Sequence, residues 1–152
     1  MERKSVRIFL DSNVILSGLL SSTGAPRIIL DILTLSLPGL IGLTGRYNLI
    51  EIERNIKKKA PAVLPVYNEY LTKLHLEIVP LPSAAEVAMH SGIIADKDIP
   101  VLVSAINGQA DFLITGDKKH FDKAKIRKAI LCRIMNPSEF LEELAVILTN
   151  TD

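Results

Sequence analysis

Short apolar runs alternate along the chain with longer segments in which apolar residues recur every three or four positions. A short apolar run is typical of a buried strand, whereas the longer spacing indicates an amphipathic helix. Strands separated by helices imply a parallel sheet covered on both faces, so the pattern predicts an α/β fold. The predicted strands cover residues 6–10, 40–44, 77–81, 111–115 and 130–135.

Prolines and capping residues mark where the predicted helices begin or bend. Pro26 stands near the first turn of one helix, Ser83 caps a second, and Asp98 opens a third. Pro65 predicts a bend or an interruption within a fourth. A further helix is expected directly after Asp11. The other predicted helices cover residues 25–37, 45–59, 62–76, 84–92, 98–109 and 136–148.

Composition is that of a folded globular chain. The 152 residues are 48% hydrophobic and contain no internal repeat, which predicts one domain over residues 1–152. The longest charge-free stretch, residues 12–26, is shorter than the roughly 20 apolar residues that span a bilayer. A single cysteine, Cys132, excludes an internal disulfide and indicates a reducing compartment. We therefore expect a cytoplasmic protein without a membrane partner, with Cys132 as a small buried residue in the last strand.

The charge balance does not indicate a nucleic-acid-binding protein by itself. The 18 Lys and Arg residues against 17 Asp and Glu residues leave a net charge of +1. A strongly basic chain would bind a polyanion through its overall field, whereas this chain needs a local basic patch.

Four acids fall where strands end or where the following helices begin. Asp11 ends the first strand, Glu51 lies early in the helix after the second, Asp98 opens a helix, and Asp117 follows the strand at 111–115. These positions share one edge of a parallel sheet, so the four carboxylates are expected to converge. Like charges brought together must hold protons or share a cation.

Oxygen ligands select a hard ion, which favours Mg²⁺ or Mn²⁺ at this predicted site. Zinc would require histidine or cysteine ligands, and the three histidines show no ligand spacing. Among them only His120 lies close enough to Asp117 in sequence to reach a substrate.

The acidic segments resemble the motifs of PIN-domain nucleases. "IFLDSNVIL" is similar to the first motif of that family, and "DKDIPVLVSAINGQADFLITGDKKHF" is similar to its third and fourth. The resemblance implies a three-layer α/β/α fold with a central parallel sheet, a divalent-metal site and endoribonuclease activity. Many bacterial and archaeal members are toxins of toxin–antitoxin pairs, so RNA and an antitoxin protein are the implied partners, and a homodimer is left open.

Carried over by motif, the catalytic and metal-binding acids of the family fall on Asp11, Glu51, Asp98 and Asp117. Glu53 competes with Glu51, because it lies nearer the centre of the apolar helix face. Glu51 is preferred because aliphatic residues follow it at the positions typical of the family. Asp96 is a candidate supporting ligand or a loop acid.

Four residues beside these acids are candidate substrate contacts. Ser12 and Asn13 can orient water or the Asp11 carboxylate, or alternatively cap the next helix. Arg46 and Lys118 flank the acids and can contact phosphate, or alternatively form solvated surface. Few aromatic residues are available to stack on bases, so backbone-dominated RNA binding is expected.

Two other functions compete with the nuclease. A haloacid-dehalogenase-like phosphatase also carries an Asp after its first strand, but it requires a second Asp two residues later, where this chain has Asn13. The other alternative is a PIN-like module that binds RNA or protein without cutting. All four acids are present, so nothing in the sequence indicates a loss of activity.

Overall fold

Five strands form one sheet in which every neighbouring pair is parallel. The computed structural model describes residues 5–121 and 132–149. The strand order is β3-β2-β1-β4-β5, which places β1 in the centre. The strands are β1 (Val6–Leu10), β2 (Leu40–Gly45), β3 (Glu77–Val79), β4 (Phe112–Ile114) and β5 (Arg133–Met135).

Helices cover both faces of this sheet because successive strand side chains point to opposite faces. In β1, Ile8 and Leu10 pack into one hydrophobic cluster, and Phe9 packs into the other. The first cluster is covered by α1 (Ser12–Leu20), α2 (Ala25–Thr34), α3 (Arg46–Lys59), α4 (Leu64–Lys73) and α8 (Pro137–Thr149). The second is covered by α5 (Ala84–Met89), α6 (Ile99–Asn107) and α7 (Lys118–Phe121). The three-layer α/β/α fold with a central parallel sheet is therefore confirmed.

The sheet reverses its direction of growth beside β1. The chain passes from β1 to β2 and β3 on one side, and then returns to place β4 on the other side of β1. In open α/β sheets, ligands bind outside the carboxyl ends of the strands at such a switch point. Here the carboxyl ends of β1 and β4 lead into Asp11 and into Thr115-Gly116-Asp117.

Several predicted boundaries differ from those in the structure. The helix predicted over residues 62–76 is not bent at Pro65 but is interrupted just before it: a 3₁₀ turn at Pro61–Val63 is followed by α4, and Pro65 lies in the first turn of α4. Strands β3, β4 and β5 are three residues long each, shorter than predicted. Cys132 is half-buried and precedes β5, so its predicted strand position is wrong, while residues 130 and 131 lie outside the described residues.

Other local features agree with their sequence signals. Ser83 caps α5 as predicted, in a reciprocal capping box with Glu86.

Helix α2 ends at Thr34, earlier than predicted, and the chain then turns through Ser36 with a φ of 50°. Within the part of the chain described here, no helix is both long and apolar enough to cross a membrane.

Candidate active site

A cleft of about 200 Å³ lies beside the carboxyl ends of β1 and β4. All four predicted acids line it, namely Asp11, Glu51, Asp98 and Asp117. Asp11 directly follows β1 and Glu51 lies on α3. Asp98 lies in the turn before α6 and Asp117 in the turn after β4, as expected for one edge of a parallel sheet. The other lining residues are Ser12, Asn13, Leu16, Ile52, Asn55, Lys97, Val101 and His120.

The Asp11 carboxylate is buried and held by hydrogen bonds on both oxygens. Its Oδ1 accepts from the Ser12 backbone N–H at 2.8 Å and from Asn48 Nδ2 at 3.2 Å, and its Oδ2 accepts from the Thr115 hydroxyl at 2.7 Å. Only 7% of the residue is exposed. Burial raises the pKa of Asp11 from 3.8 to about 6, and the charges of Glu51 and Asp117 add to the rise, while the Thr115 and Ser12 hydrogen bonds oppose it.

Asn48 is a fully buried polar residue on α3 that connects that helix to the end of β1. Its Nδ2 donates to Ser12 Oγ at 2.9 Å as well as to Asp11. A Cβ atom at Gly45, the residue before α3, would lie 2.8 Å from Asn48 Oδ1 and 3.0 Å from Ser104 Oγ. The absence of a side chain at Gly45 therefore leaves the space that Asn48 occupies.

Asp117 is positioned by the turn that follows β4. The Asp117 backbone N–H donates to the Thr115 hydroxyl at 3.0 Å, and Asn13 Nδ2 donates to Asp117 Oδ2 at 2.9 Å. The other amide atom, Asn13 Oδ1, accepts from the Gly116 N–H at 2.9 Å. Both polar atoms of Asn13 therefore hold this turn, and its predicted contact with substrate stays a prediction.

Asp98 precedes α6 but does not cap it, because its side chain makes no cap hydrogen bond. Its Oδ2 is buried and has no hydrogen-bond partner among the described residues. The nearest ionisable partner is His120, whose Nδ1 lies 3.6 Å from that oxygen, beyond hydrogen-bonding distance. A buried carboxylate oxygen without a partner is costly unless a cation or proton joins it, so this atom suits a metal ion.

The structure separates the two competing glutamates of α3. Glu51 lines the cleft, on the same helix face as Asn48 and Asn55, and its charge reaches Asp11. Glu53 does not line the cleft and lies near Tyr67 instead. Burial raises the pKa of Tyr67 to about 12, and the charge of Glu53 adds to that rise. Glu51 is therefore the better-placed second acid.

The remaining predicted residues lie at varying distances from the acids. Asp96 and Arg46 are exposed and are not among the residues that line the cleft, which favours a loop acid over a supporting ligand as the role of Asp96. The Lys118 ammonium donates to both carboxylate oxygens of Glu139, at 2.9 and 3.1 Å. Ser12 lines the cleft, and its hydroxyl accepts from Asn48. The substrate-binding roles of Ser12, Arg46 and Lys118 stay predictions.

Four polar residues at the site were not predicted from the sequence. Asn48 precedes Glu51 by three residues on one helix face, a spacing that could have identified it. Thr115 follows a strand directly and could have been taken as a partner of Asp117. Asn55 and Lys97 line the cleft only because distant segments meet there.

Among the described residues, no three histidine, cysteine or acidic side chains are close enough to form a ready-made ion cage. Magnesium usually keeps several of its waters and is held by only one or two carboxylates. The separation of the acids is therefore compatible with a partly hydrated Mg²⁺ or Mn²⁺, whose oxygen ligands the cleft supplies.

Comparison with known proteins identifies the domain type. A family model described as PIN domain matches residues 7–119. No curated protein matches the sequence significantly. Residues 7–119 are most of the chain, and the match includes all four cleft acids.

Solved structures with low sequence identity share the fold. VapBC2 from Rickettsia felis bound to a DNA fragment from their promoter is 18% identical and has a TM-score of 0.56, covering 86% of this chain and 98% of that one. VapBC-1 from nontypeable Haemophilus influenzae is 15% identical with a TM-score of 0.61, covering 88% and 99%. PAE2754 from Pyrobaculum aerophilum is 15% identical with a TM-score of 0.64, covering 93% and 90%.

Replacing Asp11 with Asn is expected to stabilise the metal-free fold at neutral pH. The folded protein binds the Asp11 proton more tightly than the unfolded chain, so stability falls as pH rises from about 4 to about 6 and stays low above it. The pKa shift corresponds to about 2–3 kcal/mol, which Asp11→Asn should recover. The amide oxygen can accept from Ser12 and Asn48 as Oδ1 does, and the amide nitrogen then faces the Thr115 hydroxyl oxygen.

This prediction is measured by urea unfolding of both proteins in chelator at pH 4 and pH 7.5. The variant should be the more stable protein at pH 7.5 and close to wild type at pH 4. A stability difference that does not change between these pH values would contradict a buried carboxylate with a raised pKa.

Asp98→Asn is likewise expected to melt at a higher temperature than wild type in chelator, because it removes the charge from a buried oxygen that lacks a hydrogen-bond partner. Added Mn²⁺ should raise the wild-type melting temperature by linkage, and raise that of the variant much less. Thermal melts with chelator and with Mn²⁺ measure both effects. Asp96→Asn, two residues away and exposed, is the matched control and should shift like wild type. Equal Mn²⁺ shifts in wild type and Asp98→Asn would argue against the site.

Proposed function

The chain belongs to the PIN domain family, and on that premise we propose that it is a divalent-metal-dependent endoribonuclease that hydrolyses RNA phosphodiester bonds. The observation that carries the proposal is the convergence of Asp11, Glu51, Asp98 and Asp117 on one cleft at the switch point of the sheet. Because the chain belongs to this family, the alternative function of a haloacid-dehalogenase-like phosphatase is excluded.

The donor set of the cleft supports Mg²⁺ or Mn²⁺ as the cofactor. Asp11, Asp98 and Asp117 would hold the ion directly or through water, and the unpartnered Oδ2 of Asp98 is the clearest position for a direct contact. When bound, such an ion lowers the pKa of water and offsets the negative charge that develops at the phosphate.

The protein's own contribution is to orient its acids. Asn48 and Thr115 hold the two oxygens of Asp11, so this carboxylate cannot rotate when the substrate arrives. With a pKa of about 6, Asp11 is ionised at neutral pH. Glu51 lines the same cleft and is assigned to orient the attacking water or to act as a further ligand.

Hydrogen-bond donors at the cleft support an anionic substrate. The Lys97 cation and the His120 imidazole both line it, so the substrate phosphate meets donors as well as acids. A polyanion needs a local cation such as Lys97 in a chain whose net charge is only +1. Lys57, Lys58 and Lys59 at the end of α3 are exposed and can extend the contact with the RNA backbone.

We also propose that the nuclease is the toxin of a toxin–antitoxin pair. The fold is shared with VapBC2 and VapBC-1, and one of these was solved with a DNA fragment from their promoter. An antitoxin protein would then be the physiological partner. Copurification of the chain with the product of a neighbouring gene, together with loss of RNA cleavage in the complex, would support this assignment.

Glu51→Gln is expected to lower the rate of RNA cleavage about a hundredfold, because it removes a group that orients or deprotonates the attacking water. Glu53→Gln should leave the rate close to wild type, since Glu53 lies outside the cleft near Tyr67. The two changes have the same chemistry on the same helix, so they form a matched pair. Initial cleavage rates of a fluorescent single-stranded RNA with Mn²⁺ measure both. Equal losses in the two variants would contradict the assignment of Glu51.

Cleavage is expected to require Mg²⁺ or Mn²⁺, to stop with chelator, and to fall at least about a hundredfold in Asp11→Asn. The variant is expected to be more stable than wild type, so unfolding would not explain the loss. Hydrolysis by water should leave 5′-phosphate and 3′-hydroxyl ends, which labelled RNA resolves by electrophoresis. Cyclic-phosphate ends would show attack by the RNA's own 2′-hydroxyl. RNA that is bound but never cut would instead favour the non-cutting PIN-like module.

A further inference from the structure

A second cavity, of about 260 Å³, lies directly beside the acidic cleft. The two cavities share Asn13 and Asp117, and the 2.9 Å hydrogen bond between those side chains forms part of the wall between them. A substrate held at the acids therefore has this cavity as its immediate neighbour. The function proposed above assigns it no role.

The lining of this cavity suits a neutral ligand better than a phosphate. Pro26 and Pro137 are half-buried and supply apolar surface, and the Ser17 hydroxyl offers a hydrogen-bond donor and acceptor. Val14 also lines the cavity but is only 1% exposed. Asp117 is the one charged residue among its described lining residues. A phosphate there would face a carboxylate without a compensating cation, whereas a nucleobase or a ribose would meet apolar faces and a hydroxyl.

The cavity size limits the ligand to about one nucleoside. Small-molecule pockets begin at about 300 Å³, so this volume is close to the lower end of that range. An RNA strand cut at the acids must continue from the scissile phosphate on both sides. The first group that it meets on either side is the ribose and base of the adjoining nucleotide.

We propose that this cavity, the side pocket, binds the nucleoside that directly adjoins the scissile phosphate. The proposal rests on the ribonuclease function proposed above and adds a contact with one base to otherwise backbone-dominated binding. Pro26 and Pro137 pack against the base, and Ser17 bonds to a polar edge of the base or to the ribose. The Asn13–Asp117 bond then aligns the side pocket with the catalytic cleft.

Filling the side pocket tests this proposal. Ser17 is exposed on α1, so Ser17→Trp can be tolerated by the fold while it occupies the pocket. Leu20→Trp is the matched control: it lies on the same helix, is 62% exposed, and does not line the side pocket. We expect Ser17→Trp to raise the KM for RNA about tenfold, the order of one base contact, and Leu20→Trp to leave it unchanged. The Mn²⁺ melting shift should be the same in both variants as in wild type.

A second measurement uses the unaltered protein and therefore does not depend on the variant folding. An RNA oligonucleotide with one mapped cleavage site is prepared with a single abasic nucleoside directly 5′ or directly 3′ of the scissile phosphate. At one of these positions the abasic change should raise the KM of wild type about tenfold. The same abasic RNA should not raise the KM of Ser17→Trp further, because the contact is already lost.

The outcomes separate the side pocket from the proposed nuclease. RNA that is cut normally, with neither abasic change affecting the KM of wild type, would overturn the side pocket and leave the nuclease intact. If the increases in KM caused by Ser17→Trp and by the abasic nucleoside are additive at both positions, that result would overturn the side pocket as well. If wild type neither binds nor cuts RNA with Mn²⁺, the proposed function fails, and this inference fails with it.

Discussion

The arrangement of the site depends on one constraint, the burial of the Asp11 carboxylate at the end of the central strand. A buried charge must be surrounded by donors, because an unpaired carboxylate would cost more than the neighbouring apolar residues contribute. Donors therefore come to Asp11 from three directions: Ser12 from the start of α1, Asn48 from α3 and Thr115 from the end of β4. The helix and loop that carry Glu51 and Asp117 are thus attached to the same carboxylate.

Thr115 links two of the acids through one hydroxyl group. The hydroxyl donates to Asp11 Oδ2 and accepts from the backbone N–H of Asp117, so the orientation of its single hydrogen is determined. Asn13 adds a second link, because one end of its amide holds the Asp117 carboxylate and the other holds the Gly116 N–H. The negative charges of Asp11 and Asp117 are consequently held near one another by neutral groups.

The fold and the acids could be predicted from the sequence because each leaves a local pattern. The alternation of strand and helix predicts the parallel sheet, and parallel strands place Asp11, Asp98 and Asp117 at one edge without knowledge of the strand order. The preference for Glu51 over Glu53 rested on the family pattern alone, because Glu53 lies nearer the centre of the apolar face of α3, and the structure adds that Glu51 lines the cleft whereas Glu53 does not. Lys97 and the side pocket depend on how separate segments pack, and the helix is interrupted before Pro65 rather than bent at it, because a proline in the first turn of a helix leaves the helix straight.

The hydrogen bond between Asp11 and Thr115 joins residues 104 positions apart in the chain. Contacts of such long range form late, because the intervening segment must first be ordered. During synthesis the ribosome delivers Asp11, Glu51 and Asp98 well before Asp117, and β1 exposes the edge on which β4 will pair until that segment emerges. A chain interrupted before residue 112 therefore contains most of the acids but not the strand that aligns them. The central position of β1 therefore makes the cleft depend on β4, so that translation products that end before β4 lack it.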